Sequence, residues 1–542
     1  MACYSPALLV ADCTQPELAR NLPSVAMEKS PSLVGMAYTT GRYILPLYRA
    51  RSPAINDHPT PYQRENWHPV GDVLTQLNAS QQRVIGTLTA GFAAAGHQLY
   101  LVGGVVRDVL LGQRPPTDLD FATSALPGDV KAIATTFPHG GIYDMGERFG
   151  TIGIVFVDAE GVPLPVEITT YRSEQYEPGS RHPAVEFGTS IEDDLSRRDV
   201  TINAMAVNVA TGDLVDPYYG QADLHMGLLR AVGDPDARFQ EDPLRLLRVA
   251  RFVSQLGFAI DAETQAAMIR QAPGIEQISV ERVLAELTRL LIGPYADHGL
   301  EALVETGLFG RVMPELLPLE DTAWNHPQGY REKDLWDHTK RVVVQSPPRP
   351  IVRWAALLHD AAKPLTRSVD ASGEVHFFGH ERVGAELARR LLVRLKADKA
   401  TTQAVVRLVD LHLRPASYDP KTWTDSAVRR LALEADGVLP DLLDLAAADV
   451  TSAKAWKQHA AAARVQGLQQ HVARLEAAQA LTELQSPLDG NDLMQMFVRK
   501  PGRWIAEVKD HLRDLVIEGD LASDDRETAT RIARELVAAM EN

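Results

Sequence analysis

Asp118 and Asp120 stand two apart in the run Thr117-Asp-Leu-Asp-Phe-Ala-Thr123, shortly after the glycine pair Gly103-Gly104. In an extended segment Leu119 and Phe121 face one way and the two aspartates the other, as the two-residue period of a strand requires. Upstream, Leu99 to Val102 is a short apolar run, and the apolar-periodic segment Val105 to Leu111 follows the glycines. That order reads as strand, tight turn and helix start. Glycines let a ligand approach the backbone, and free N–H groups at a helix N-terminus attract phosphate. Two carboxylates on one strand face beside such a turn suit a divalent metal and a nucleoside triphosphate. An Asp-x-Asp by itself reads as a solvated turn; the glycines just upstream reverse that reading.

Other residues can join this chemistry. In Val166-Glu-Ile-Thr-Thr-Tyr-Arg172, Val166 and Ile168 alternate with Glu167 and Thr169, so Glu167 is placed either to add a third carboxylate or as an ordinary surface residue. Arg197-Arg198-Asp199, four residues before Asn203, offers two guanidiniums for phosphate or ribose and a carboxylate for sugar hydroxyls. A charged helix cap is the alternative. In Phe239 to Phe252, Pro243 marks a helix start and Leu246, Val249, Ala250 and Val253 form a buried stripe. Asp242 and Arg245 are spaced as neighbours on that helix edge, and Arg248 and Arg251 continue beside the stripe. A fixed Asp242–Arg245 pair supplies an acceptor and a planar donor fork able to read a base's Watson–Crick edge, or it is a plain salt bridge.

A second set is rich in histidine: His338, the adjacent His359-Asp360, His380, His412 and Asp449. Each lies in a segment of helical periodicity. A carboxylate next to the apolar stretch Trp354 to Leu358 needs a partner, and imidazoles gathered with carboxylates from several helices suit a divalent transition metal or Mg²⁺.

The elements that position these groups follow from the pattern. Residues 79–230 read as a small mixed α/β unit, with Val84, Ile85, Leu88, Phe92 and Ala95 on a first helix capped by Ser80 and a clear strand at Thr151 to Val157. Residues 231–325 and 326–455 read as helical, 456–542 as a helical tail, and 1–78 as an irregular extension of scattered Pro, Ser and Asn. A start site placed too far upstream would look like that extension, which receives no function. Composition bounds the rest: with 542 residues, 45% hydrophobic and 23% charged, the chain has ample core material for several domains. A net charge of −16 argues against wholesale coating of nucleic acid but not against a local basic surface. Two cysteines, Cys3 and Cys13, make no disulfide framework, and no apolar run is long enough for a membrane span, so a cytoplasmic protein is expected.

In their order and spacing, Gly103-Gly-x-x-Arg-Asp108, Asp118-x-Asp120, Arg197-Arg-Asp-x-Thr-Ile-Asn203 and Glu241-Asp-x-x-Arg245 resemble the bacterial CCA-adding tRNA nucleotidyltransferase and poly(A) polymerase family, within the polymerase-beta-like nucleotidyltransferases. The resemblance implies an α+β chain: a small nucleotidyltransferase head followed by an elongated all-helical neck, body, HD domain and tail. It implies addition of CCA to the tRNA 3′ end from CTP and ATP. Asp118 and Asp120 would hold Mg²⁺, with Glu167 beside them; Gly103, Gly104 and Arg107 would contact phosphates. Arg198, Asp199 and Asn203 would sit at the ribose. Asp242 and Arg245 would pair with the incoming base, with Arg248 and Arg251 supporting that pocket and meeting phosphate. The loop Tyr176 to His182 falls where the family has a mobile element, and Val200 stands where the family commonly has Phe. A poly(A) polymerase, or an enzyme adding only CC or only A, is the nearest rival.

The second set resembles an HD-type phosphohydrolase domain, with His338, His359, Asp360 and Asp449 as ligands and His380 and His412 where dinuclear members add histidines. That likeness implies a second divalent transition metal (Ni, Mn, Co or Fe), with Lys363 facing a substrate phosphate. His359-Asp-Ala-Ala-Lys363 lacks the usual glycine of that turn. The alternatives are a degenerate helical domain kept for tRNA binding, or an HD phosphohydrolase whose head merely binds RNA. The C-terminal helices, from Leu488 and from Pro501, resemble the tail that supports tRNA. Monomer and homodimer both remain compatible with the sequence.

Overall fold

The computed structural model describes residues 73–113, 118–143, 150–157, 161–175, 184–188, 190–320, 335–450, 455–477 and 484–541. The chain falls into two units, Met1–His58 and Pro59–Asn542, and every described residue lies in the second.

A seven-stranded mixed sheet forms the head. Its strands are β1 (Leu99–Val102), β2 (Leu119–Thr123), β3 (Gly141–Tyr143), β4 (Thr151–Val157), β5 (Pro163–Thr170), β8 (Ala206–Asn208) and β9 (Leu214–Val215). A separate hairpin pairs β6 (Arg172–Gln175) with β7 (Ala184–Phe187). The spatial order is β3-β4-β5-β2-β1-β8-β9, and only β2 and β5 run parallel. The alternation read from sequence holds: Leu119 and Phe121 are buried while Asp120 is exposed. The apolar face packs on the helices Ala79–Ala94, Gly104–Leu110 and Pro127–Ala134 through Leu88, Phe92, Val106 and Val130. The first helix is capped by Asn78, not Ser80. Asn78 accepts from the Gln81 N–H while the Gln81 side chain accepts from the Asn78 N–H. That reciprocal pair satisfies two otherwise orphaned donors, which a serine inside the first turn cannot do. Ala95 lies just past the helix end and is exposed.

Beyond the head the described chain is almost entirely helical. The helix Leu244–Leu256 carries the expected stripe, with Leu246, Val249 and Ala250 wholly buried and Val253 nearly so. One continuous apolar core runs from Val73 to Leu475, and a smaller one joins the helices Gly490–Phe497, Arg503–Glu518 and Arg526–Glu541. Among the described residues no helix is long and apolar enough to cross a membrane.

Candidate active site

The site is built on the parallel pair at the middle of the sheet. Register sets Asp120 of β2 directly beside Glu167 of β5, and Asp118 immediately precedes β2. The loss of solvent around the carboxyl, then repulsion from Glu167 and Asp118, pushes Asp120 up to about 6, with Arg198 pulling the other way. Crowded carboxylates that resist ionisation are relieved by a divalent cation, and an all-oxygen donor set fits Mg²⁺. Gly103 closes this space from the side. Its φ is +76°, and a Cβ there would stand 3.1 Å from Arg198 Nη1 and 3.9 Å from Asp120 Oδ2. Glycine therefore serves twice, for the left-handed turn and for open room before the carboxylates.

The arginines are held from behind. Arg197 and Arg198 both bind Asp194, at 2.7 and 3.1 Å. Burial of Asp194 opposes its charge, but the two guanidiniums hold its pKa below the usual carboxylate range. Ser190, not either arginine, caps the short helix Ile191–Ser196 that carries Asp194. Arg107 donates to Asp108 and to Asn203 Oδ1, each at 2.8 Å. Asn203 donates in turn to Asp199 Oδ1 at 3.3 Å, and Arg248 donates from Nε and Nη2 to Asp199 Oδ2 at 2.8 and 2.5 Å. Burial opposes ionisation of Asp199, yet Arg248, the Val200 N–H and Asn203 hold its pKa far below the ordinary value. The ring of Phe252 lies against the guanidiniums of Arg251, Arg248 and Arg107, with centroid distances of 4.2, 5.7 and 5.8 Å.

The histidine set converges in the helical half. His338 comes from the helix Leu335–Gln345, His359 and Asp360 follow Pro350–Leu358, and His380 opens His380–Arg394. His412 and Asp449 each stand just past a helix end, after Lys399–Leu411 and Leu439–Ala448. His338, His359 and Asp449 form one trio, and Asp360, His380 and His412 another. Asp360 joins them: Oδ2 lies 3.3 Å from His338 and from His359, and Oδ1 lies 3.4 Å from His380 and 3.7 Å from His412. His359, His380 and His412 each set Nδ1 on the carbonyl three residues back, at 2.8, 2.7 and 2.6 Å. That bond makes Nδ1 the donor and leaves Nε2 as a lone pair. Yet Nε2 of His359 faces that of His338 at 3.3 Å, and Nε2 of His380 faces that of His412 at 3.2 Å. His380 and His412 so present facing lone pairs, which attract nothing unless a cation or a proton sits between them, while His338 Nε2 also lies 3.0 Å from Asp449 Oδ1. The field of the pocket agrees: burial disfavours charge on His359, but Asp360 and Asp449 outweigh it and raise the ring to about 10. Imidazole and carboxylate donors so arranged fit a divalent transition metal.

Comparison with known proteins settles the family. The poly(A) polymerase head domain profile matches residues 99–230, the profile for a probable RNA and SrmB-binding site of polymerase A matches 257–319, and the HD domain profile matches 336–454. A CCA-adding enzyme of Bacillus mycoides (strain KBAB4) is 32% identical over 79% of this chain and 92% of its own length. The chain belongs to the CCA-adding enzyme family. Its match to the CCA-adding enzyme of Geobacillus thermodenitrificans (strain NG80-2) is 47% identical and covers 39% of this chain, spanning about half (50%) of that relative. The crystal structure of a Bacillus stearothermophilus CCA-adding enzyme in complex with CTP superposes with a TM-score of 0.62 at 27% identity, over 86% of this chain and all of that one.

Set beside the family's motifs, the side chains fall into two groups. Gly103, Asp118, Asp120, Glu167 and Arg198 come together as neighbours, with Gly104 opening the helix that follows Gly103. Asp199 differs from the expected ribose acceptor, because Val200, Asn203 and Arg248 already donate to its oxygens. The Asp242–Arg245 side-chain pair does not form. Pro243 is the N-cap of the helix, so Asp242 is extended rather than helical and the three-residue spacing confers no side-chain adjacency. Asp242 instead accepts from Arg282 at 2.9 Å, and Arg245 binds Glu241 at 2.6 Å and the carbonyl of Arg197 at 2.7 Å. Arg251 is buried on Glu286 at 2.6 Å and Gln255 at 2.8 Å instead of being free for phosphate. Lys363 lies at the histidine centre, 2.6 Å from Asp360 Oδ2. Val200 fills its place wholly buried, in a bridge to Ala231. The loop Tyr176 to His182 lies outside the described residues. Asp194, Phe252, Arg282 and Glu286 also serve the site: the three- and four-residue spacing of Asp194 from Arg197 and Arg198, and the place of Phe252 beside Arg251 and Arg248, were signals in the sequence, whereas Arg282 and Glu286 meet Asp242 and Arg251 only across the fold.

Proposed function

We propose that this chain completes or repairs the 3′-terminal CCA of tRNA, adding nucleotides from CTP and ATP without a nucleic-acid template and releasing diphosphate. The observation that carries this reading is the row of Asp118, Asp120 and Glu167 beside the bare backbone of Gly103. Gly103 leaves room for a triphosphate, Arg107 and Arg198 present guanidiniums already fixed by Asp108, Asn203 and Asp194, and their fixed aim favours phosphate alignment. Asp199 and Arg248 position Asn203, and through it Arg107. Asp242 and Arg245, on either side of Pro243, offer a carboxylate and a guanidinium for the base, once Arg282 yields Asp242. Mg²⁺ held by Asp118, Asp120 and Glu167 would supply charge compensation and a more acidic 3′-hydroxyl. The reading places the protein in the cytoplasm, with units meeting near residues 78, 230, 325 and 455.

The test is incubation with tRNA ending before its CCA, with each labelled nucleotide and Mg²⁺. Ordered addition of two C and one A is expected. Incorporation of ATP alone onto unrelated RNA would replace this reading by poly(A) synthesis, and arrest after CC or addition of A alone would narrow it.

The paired imidazoles around Asp360 support a second reading for the helical centre: an HD phosphohydrolase loaded with Ni, Mn, Co or Fe, with Lys363 turned to a substrate phosphate. Metal content and phosphatase activity of His359→Ala, with nucleotide addition measured on the same sample, test whether the two centres work separately. Loss of both activities together would join them.

A further inference from the structure

The head sheet carries one row of residues that runs straight across four strands. Tyr143 on β3 pairs with Gly153 on β4, Gly153 pairs with Glu167 on β5, and Glu167 pairs with Asp120 on β2. Gly153 is the gap in that row. A Cβ built on it would lie 1.9 Å from Tyr143 Cζ and 2.0 Å from Cε2, so the tyrosine ring occupies the very space a side chain would take. With no side chain between them, the phenol ring lies across β4 at Gly153, and its Cζ, which carries the hydroxyl, stands over the strand that separates it from Glu167.

Glu167 has an acidic neighbour on its own face, Asp120, and no cation bonded to it among the described residues. Left alone, a flexible glutamate beside another carboxylate turns away from it. A neutral donor on the far side draws it toward a fixed position without cancelling the charge a cation needs, which an arginine there would do. Gly153 is required because any larger residue closes the path.

We propose that Tyr143 is a positioning residue of the catalytic centre, acting through Glu167 across the cleared floor at Gly153 to fix the third carboxylate for divalent-metal binding. The proposal rests on the metal-dependent nucleotide transfer argued above, and the two can fail separately.

Tyr143→Phe keeps the ring and removes only the hydroxyl. Nucleotide addition should then need about tenfold more Mg²⁺ for half-saturation, while the KM for CTP at saturating Mg²⁺ stays within about twofold. Gly153→Ala should reproduce that metal requirement, because it evicts the ring. The double variant should be no worse than Gly153→Ala. The independent readout is the ¹³Cζ resonance of Tyr143 in tyrosine-labelled protein, assigned by its disappearance in Tyr143→Phe. It should shift when Mg²⁺ is added, with or without turnover. An unchanged Mg²⁺ requirement in Tyr143→Phe, or a resonance that ignores Mg²⁺, overturns the proposal. A protein that never adds nucleotides but whose Tyr143 resonance responds to Mg²⁺ overturns the polymerase reading and supports the positioning role.

Discussion

The carboxylates of the head and the histidines of the helical half place donor groups under opposite physical conditions. Asp118 and Asp120 lie at an exposed sheet face, are acceptor-only, and repel one another. The histidine centre is buried; its rings are oriented by backbone carbonyls and its carboxylate Asp360 is shared by both trios. Hard oxygens on an open face suit a cation that comes and goes with a nucleotide, whereas buried imidazoles with fixed tautomers suit one that stays. The two sets of donors thus differ in exposure and in ligand chemistry, and the comparison can be broken experimentally.

The largest expected effect is at the head. Asp120→Asn should lower nucleotide addition about 10³-fold or more, since the charge stabilising the reacting phosphate is lost. Metal retained by the purified protein should not change, because the helical centre is intact. Equal loss of retained metal would erase the distinction. The converse variant, His359→Ala, should reduce metal retained after dialysis by about 10–100-fold, read by elemental analysis, with nucleotide addition preserved.

A smaller effect concerns the frame between them. Arg248→Ala leaves Asp199 charged and buried, and should cost about 2–3 kcal/mol in urea unfolding at pH 7, less than a fully buried pair because Arg248 is partly exposed. The depressed Asp199 pKa makes this contribution complete above its unfolded value of about 4 and lost as pH falls through the depressed native value. Wild type and variant should therefore converge in stability only in acid. Asp120 works with the opposite sign. Its carboxyl, raised to about 6, makes the native state bind more protons than the unfolded state between about pH 4 and 6. Metal-free stability should fall across that window as pH rises. Below pH 6, half-saturating Mg²⁺ should climb toward tenfold per pH unit, about as a single competing proton dictates. Smallest is Arg282→Ala, whose half-exposed ion pair with Asp242 should contribute under about 1 kcal/mol of stability.

Local pattern exposed what local geometry determines. The strand–glycine–helix entry, the alternation around Asp118 and Asp120, and the stripe on Leu244–Leu256 each follow from period and turn chemistry over a few residues. The histidine set was legible because its residue types are costly to bury without a cation. Contacts decided elsewhere were not. Asp242 finds Arg282 rather than Arg245 because the helix begins one residue after Pro243, a boundary that the spacing could not resolve. The row from Tyr143 through Gly153 to Glu167 depends on register between strands, and no single segment contains it.

The helix Leu244–Leu256 gives the molecule a property its family borders conceal. Arg245 grips the carbonyl of Arg197, Arg248 neutralises Asp199, and Arg251 reaches Glu286 on the far side. Successive turns of a single rod thus fasten the head on one side and the helix Val280–Leu291 on the other. The border at residue 230, where one profile ends and helices take over, is a seam in the sequence rather than a place to cut. A fragment stopping there would strand an anion in its own interior with nothing to answer it.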